Sequence, residues 1–292
     1  MASGKDRIQF DNGYGKLDFD LGIPRPIISR YPKPISELPS EISSIDSLQE
    51  LIETIAFSRA FQHKRFLFRG HPDSCYKLVS TIGRCKIQHY SSELKAFDLL
   101  RDLCDREGYS RHRMDSFNED LFYYGIGRHL GLTCRLLDWT AGIWEALSFA
   151  LYEQINKDGS LWVMMLSNDF PFENRSPFSI SDNRIHILKE DYYYPDESTS
   201  LPLGIQRRSH QHGYFSVVKD AWISTPLNEV SYDSPCELFC FNILPSFKNI
   251  LRSDKRIVEV DSWLYINKDA KLTDSIQRIN HTITDPTSNE WK

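Results

Sequence analysis

The sequence predicts an α+β fold: a single mixed α/β domain in which a sheet is flanked by helices. Three observations predict it. Strand-sized apolar runs such as Phe66-Leu67-Phe68, Leu161–Leu166 and Leu238–Ile243 mix with helical stripes in no regular βαβ alternation. No G-x-G-x-x-G follows a strand, which argues against a dinucleotide-binding doubly wound sheet. No internal repeat breaks the chain into smaller units, and 292 residues with 40% hydrophobic content are enough for one large core.

In chain order, residues 1–40 are rich in Gly, Pro and polar residues without periodicity. They read as an N-terminal extended arm, leaving 41–292 as the domain. A helix is expected from Ser47, because Ser47-Leu48-Gln49-Glu50 has the capping-box pattern and Leu51, Ile52 and Ile55 follow at helical spacing. Phe66-Leu67-Phe68 forms a strand that ends on Arg69-Gly70-His71. A helix from about Ser92 to Arg106 puts Ala96, Leu99, Leu100 and Leu103 on one stripe. A loop with Gly125, Gly127 and Gly131 leads into Arg135–Thr140, and a helix from Ile143 to about Gln154 follows. Leu161–Leu166 is a buried strand, 185–190 a helix, and Tyr214–Val218 and Leu238–Ile243 are further strands. Helices at 246–257 and 272–279 complete the reading.

Composition excludes some classes. The apolar runs are too short to span a bilayer, and the N-terminus lacks a secretory core, so no membrane association is expected. Six scattered cysteines without a C-x-x-C pair read as reduced thiols in a cytoplasmic protein, with no metal site. A net charge of −5 makes no global case for nucleic acid. Arg111-His112-Arg113, Arg207-Arg208 and Lys248…Arg252…Lys255-Arg256 are local basic clusters, read either as solvated faces or as steering for a polyanion.

Three segments carry possible chemistry. In Phe68-Arg69-Gly70-His71 an arginine fork at a strand end could grip phosphate, or it could close an internal pair with Asp138. In Arg135–Thr140, Asp138, Trp139 and Thr140 offer an acceptor, a stacking ring and a hydroxyl. These suit a nucleotide or nicotinamide ring, unless Asp138 caps a helix and Trp139 fills the core. In Arg208–Phe215, His210 and His212 flank Gln211 and could act as acid or base. No nucleophile elbow, HExxH or phosphate-binding GxxxxGK[ST] is present.

These segments resemble the FRG-domain family: Phe68-Arg69-Gly70, then His129–Thr140 with Trp144–Ala150, then Arg208, Gln211, Gly213 and Phe215. Leu264–Asp269 is similar to a closing apolar–acidic motif. The likeness runs over about residues 43–280, and Cys134 stands where a proline is common. The layout also looks like that of ADP-ribosyltransferases, which implies their split sheet and NAD as a substrate. The resemblance implies Arg69, Asp138 and Gln211 as catalytic residues, and Phe68, Arg69, Gly70, His71, Arg135, Trp139, Thr140 and His210 as NAD-binding ones. Asp138-Trp139-Thr140 replaces the usual Ser-Thr-Ser, and Gln211 stands where a catalytic Glu is usual. Glu145, Glu237 or a histidine could compensate. The implied role is ADP-ribose transfer to a macromolecule, as in a toxin or anti-phage effector with a neutralising antitoxin partner. The basic clusters and Tyr192-Tyr193-Tyr194 suggest RNA or single-stranded DNA as acceptor, unless the tyrosines serve packing. The alternative is a non-catalytic nucleotide-sensing or partner-binding module.

Overall fold

A computed structural model describes residues 9–10, 17–18, 32–85, 90–109, 118–189, 213–221, 225–229, 236–264 and 270–284. The predicted sites at Arg111–Arg113 and at Arg207–His212, which include His210 and Gln211, lie outside these residues. So do residues 265–269, all but the first residue of the closing motif, and the tyrosines at 192–194.

The chain runs β1 (Gln9–Phe10), β2 (Leu17–Asp18), β3 (Glu41–Ile42), α1 (Ile45–Gln62), β4 (Arg65–His71), α2 (Tyr90–Arg106), α3 (Glu119–His129) and β5 (Leu137–Thr140). It continues through α4 (Ile143–Leu151), β6 (Gly159–Leu166), β7 (Phe172–Glu173), β8 (His186–Lys189), β9 (Gly213–Val217) and β10 (Cys236–Ile243). It closes with α5 (Pro245–Leu251), α6 (Lys255–Leu264) and α7 (Ala270–Thr284). β1 and β2 pair with each other, and β3 to β10 form one eight-stranded mixed sheet in the order β3-β10-β6-β4-β5-β9-β8-β7. This is the α+β domain that the sequence predicts. No helix among the described residues is long and apolar enough to cross a membrane, and all six cysteines are free thiols.

The sheet is nearly split in the middle. β4 pairs with β6 over seven positions, and β5 pairs with β9 over four. Between β4 and β5, however, Phe68↔Thr140 is the single pair. Helices pack on one face in two groups that meet at this line. One group buries Phe66, Phe68, Leu161 and Val163 under α1, α4, α5 and α6. The other buries Leu188, Phe215 and Val217 under α2, α3 and α7. Alternation sends Leu67, Leu137, Trp139 and Met164 to the opposite face, where Leu78, Phe170 and Leu227 cover them.

Several elements differ from expectation for visible reasons. α1 starts a turn earlier than Ser47. Its cap is Ser44, whose Oγ accepts from Ser47 N, while Ser47 Oγ accepts from Ser44 N. Ile35 is buried among the α1 residues, so the stretch before residue 40 already docks on the core. The glycine-bearing stretch before β5 is helix α3 rather than loop. Asn118 caps it, and a Cβ on Gly127 would sit 2.7 Å from Leu100, so packing rather than flexibility explains that glycine. Residues 186–189 are strand β8, not helix. The single helix expected at 246–257 is two, α5 and α6, broken where Asp254 Oδ1 caps Arg256 N.

Candidate functional site

The parting of β4 and β5 places charged side chains from four elements together. Arg69 follows Phe68, the last paired residue on this side of β4. Its Nη1 donates to the Asp138 main-chain oxygen at 2.6 Å, where a neighbouring strand would otherwise bond, and lies 3.6 Å from Asp138 Oδ2. Its Nε donates to His71 Nε2 at 2.9 Å. That bond makes His71 Nε2 an acceptor, so the proton is on Nδ1, which donates to the Tyr76 carbonyl at 3.1 Å. Burial, helped by the Arg69 guanidinium, holds the His71 imidazole down at about 3, so the ring is neutral at physiological pH. Burial also lowers Arg69 to about 10, which leaves it charged.

Asp138 projects from β5 towards the helices and meets the last turn of α3, where Arg128 Nη2 lies 2.7 Å from its Oδ2. Burial pushes the Asp138 carboxyl up, but Arg128 and Arg69 outweigh it and hold it below the usual carboxylate range. Asp138 Oδ1 is shielded and without a hydrogen-bond partner among the described residues, as is Arg128 Nε. Arg84, exposed as the last residue of a short 3-10 turn (Ile82–Arg84), lies close enough to act electrostatically on Arg69, His71 and Arg128. Among the described residues the cluster therefore sets three guanidiniums against one carboxylate.

The other residues singled out in the sequence fall elsewhere. Gly70 is a packing glycine: a Cβ there would lie 1.8 Å from the Ala146 carbonyl, so helix α4, not a ligand, uses the close approach. Phe68 is buried below α4, with Phe66 stacked 6.5 Å away and the Arg59 guanidinium over its ring. Trp139 is 2% exposed, and its indole N–H donates to Ser216 Oγ at 2.8 Å, so the ring fills the core. Thr140 Oγ1 accepts from Gly142 N at 3.1 Å and shapes the turn into α4. Arg135 is sealed in a separate pair with Glu93, whose two carboxylate oxygens accept its Nε at 2.9 Å and its Nη2 at 2.5 Å. Glu93 also accepts from the Tyr124 hydroxyl.

Of the two carboxylates offered as substitutes for a catalytic Glu, Glu145 folds back over Gly142 at the start of α4, and burial raises it. Glu237 is exposed on β10, two strands from β4 and opposite Met165 rather than Trp162, so it is remote from Arg69. In the 248–256 basic cluster Lys255 is exposed, whereas the other three cations are tied into the fold. Lys248 is buried and donates to Pro72 O at 2.6 Å; Arg252 donates to the Leu151 and Tyr152 carbonyls; Arg256 pairs with Asp254 over the Trp144 ring. Sequence reading missed Arg128, Arg84 and Tyr76. The acidic start and the Arg128-His129 end of α3 were the signal that could have found Arg128. Among the described residues no group of His, Cys, Asp or Glu could hold a metal ion.

A family model described as the FRG domain matches residues 64–159. That segment runs from the start of β4 to the first residue of β6 and contains Arg69, Arg84, Arg128 and Asp138, so the resemblance to this family is supported across the whole cluster. No curated protein and no solved structure matches the chain.

Proposed function

We propose that the chain binds NAD at the parting of β4 and β5 and transfers its ADP-ribose to a macromolecule. The observation that carries this reading is the charge imbalance there. Among the described residues Arg69, Arg84 and Arg128 face Asp138 alone, a surplus of about two positive charges and a fair match for a diphosphate. Guanidinium forks held by burial and by fixed partners are pre-organised, so binding an anion costs little rearrangement.

In such a transfer the bond between nicotinamide nitrogen and ribose C1′ breaks, and its electron pair leaves with nicotinamide. An acceptor oxygen or nitrogen then bonds to C1′ and gives up its proton to a base or to water. Asp138, held by two arginines, would position ribose hydroxyls rather than take that proton. Glu145, raised by burial in the first turn of α4, is better suited to an acid–base role. RNA or single-stranded DNA is the acceptor class we favour, and we give Gln211, with Asp138, the role of holding the ribose hydroxyls. A neutralising protein partner belongs to the same proposal.

The test is transfer of label from adenine-labelled NAD to total RNA, DNA and protein, beside Arg69→Ala and Gln211→Ala. Label on one polymer class, lost in folded variants, supports transfer and names the acceptor. NAD loss without labelled polymer indicates hydrolysis instead. A folded wild type that neither labels a polymer nor consumes NAD overturns the reading. One observation favours a second reading, a binding-only module: Asp138 is already engaged by two guanidiniums, and Glu145 is folded onto its own helix. A protein that melts higher with NAD or ADP-ribose and leaves NAD intact would be such a module.

A further inference from the structure

We infer that Tyr76 and Arg84 form the outer wall of the same site and take the ring and phosphate of a nucleotide, Tyr76 stacking the ring and Arg84 gripping the phosphate. This rests on the reading above in one respect, that the ligand carries a ring joined to a diphosphate.

Tyr76 is 44% exposed, although it sits beside the buried cluster. Among the described residues the one ring contact of its side chain is edge-on to His71, with centroids 6.2 Å apart, and much of the ring is open to solvent. Its backbone is wired to the site, because the Tyr76 carbonyl accepts from His71, whose other nitrogen accepts from Arg69. The loop that carries it is held at several points. Tyr76 N donates to Asp73 O at 3.0 Å, and Ser74 N donates to Asp158 O at 2.7 Å. The Asp73 carboxylate takes Cys75 N at 3.0 Å and pairs with Lys157 at 2.6 Å. An exposed aromatic on a fixed loop is a stacking platform that loses little entropy on binding.

Arg84 completes the wall. Its Nε is anchored to the Val79 carbonyl at 3.1 Å, while its two Nη groups make no hydrogen bond among the described residues. The Tyr76 phenol lies within electrostatic reach of this guanidinium, as do Arg128 and Asp138. Both side chains are exposed, and Val79, whose carbonyl anchors Arg84, lies three residues after Tyr76, so ring and fork belong to one stretch of chain at the rim of the cluster. Trp139, the ring that the sequence suggested for stacking, has its face in the core.

The experiment is calorimetric titration of the full chain with NAD, ADP and inorganic pyrophosphate, using wild type, Tyr76→Ala, Tyr76→Phe and Arg84→Ala, each checked for an unchanged melting profile. Tyr76→Ala should weaken NAD and ADP about tenfold and pyrophosphate hardly at all, and Tyr76→Phe should restore binding. Arg84→Ala should weaken all three probes. Equal loss of pyrophosphate and nucleotide in Tyr76→Ala, or no loss of either, overturns the stacking assignment. Unchanged pyrophosphate binding in Arg84→Ala overturns the other half. A wild type that binds ADP but not NAD, with the expected dependence on Tyr76 and Arg84, sinks the NAD reading and keeps this one. A wild type that binds none of the three sinks both.

Discussion

The Arg135–Glu93 pair and the Arg69–Arg128–Asp138 cluster both bury guanidiniums against carboxylate, and they differ in how completely the charges are matched. Arg135 and Glu93 are 2% and 1% exposed. The guanidinium meets both carboxylate oxygens and the Pro177 carbonyl, with the Tyr90 and Phe178 rings about it. Among the described residues one charge cancels one charge, and the pair is closed off from solvent. At the sheet parting Arg69 and Arg128 share one carboxylate, whose side chain is 37% exposed, Arg84 stands by, and polar atoms remain unmatched. Balance and closure mark a structural pair; surplus charge at an opening marks a binding one.

The largest effect expected from breaking this comparison is at the balanced pair. Arg135→Ala strands Glu93 in a sealed site and removes the tie between α2 and the start of β5. It should cost about 3–5 kcal/mol of stability, read as a fall in the urea midpoint. A variant that unfolds near the wild-type midpoint would show that Glu93 finds other partners, and the contrast would fail.

The second effect is a pH dependence at the unbalanced cluster. The folded value of His71 is about 3 against about 6.5 for an unfolded histidine, so the unfolded chain takes the proton first. Stability from this residue is fully present above pH 6.5 and is lost as pH falls towards 3. Between pH 6.5 and 5 the loss should be about 2 kcal/mol from His71 alone. In His71→Gln, whose amide oxygen can accept from Arg69 without titrating, the slope should flatten. An unchanged slope would place the titrating group elsewhere.

Third is Arg69→Ala. Asp138 keeps Arg128, so no carboxylate is stranded and the stability cost should stay at about 1–2 kcal/mol, well below that of Arg135→Ala. Pyrophosphate affinity should fall at least tenfold in the same variant. If the stability losses of the two arginine variants are equal, Arg69 is as structural as Arg135.

How far the sequence reached follows from separations along the chain. Strands β4, β6 and β10 were readable because each is a local apolar run. The Arg69–Asp138 pairing was available because both residues sit in strand-end signatures. Glu93, the partner of Arg135, lies 42 residues away on a helix, and no local pattern links them. Arg128 was hidden for another reason: Gly125 and Gly127 lower helical propensity, so α3 read as a loop, and the contact with Leu100 and Leu132 that explains Gly127 is tertiary. Strand β8 is four residues long, too short for periodicity to separate strand from helix. The Asp138-Trp139-Thr140 trio was misleading in part, because strand alternation sends Asp138 and Trp139 to opposite faces.

That alternation gives the smallest predicted effect and the cleanest control. Trp139 lies beside Asp138 in sequence, yet it faces Leu67, Met164 and Ile187, with its N–H on Ser216. Trp139→Phe keeps most of the apolar contact and leaves the Ser216 hydroxyl without its donor. About 1 kcal/mol should be lost, together with a small drop in melting temperature. Affinity for NAD and pyrophosphate should not change, because the ring is on the far side of the strand from the carboxylate. Loss of NAD affinity without loss of stability would mean that the ring reaches the ligand, and the division between core-filling and ligand-facing residues drawn along β5 would have to be redrawn.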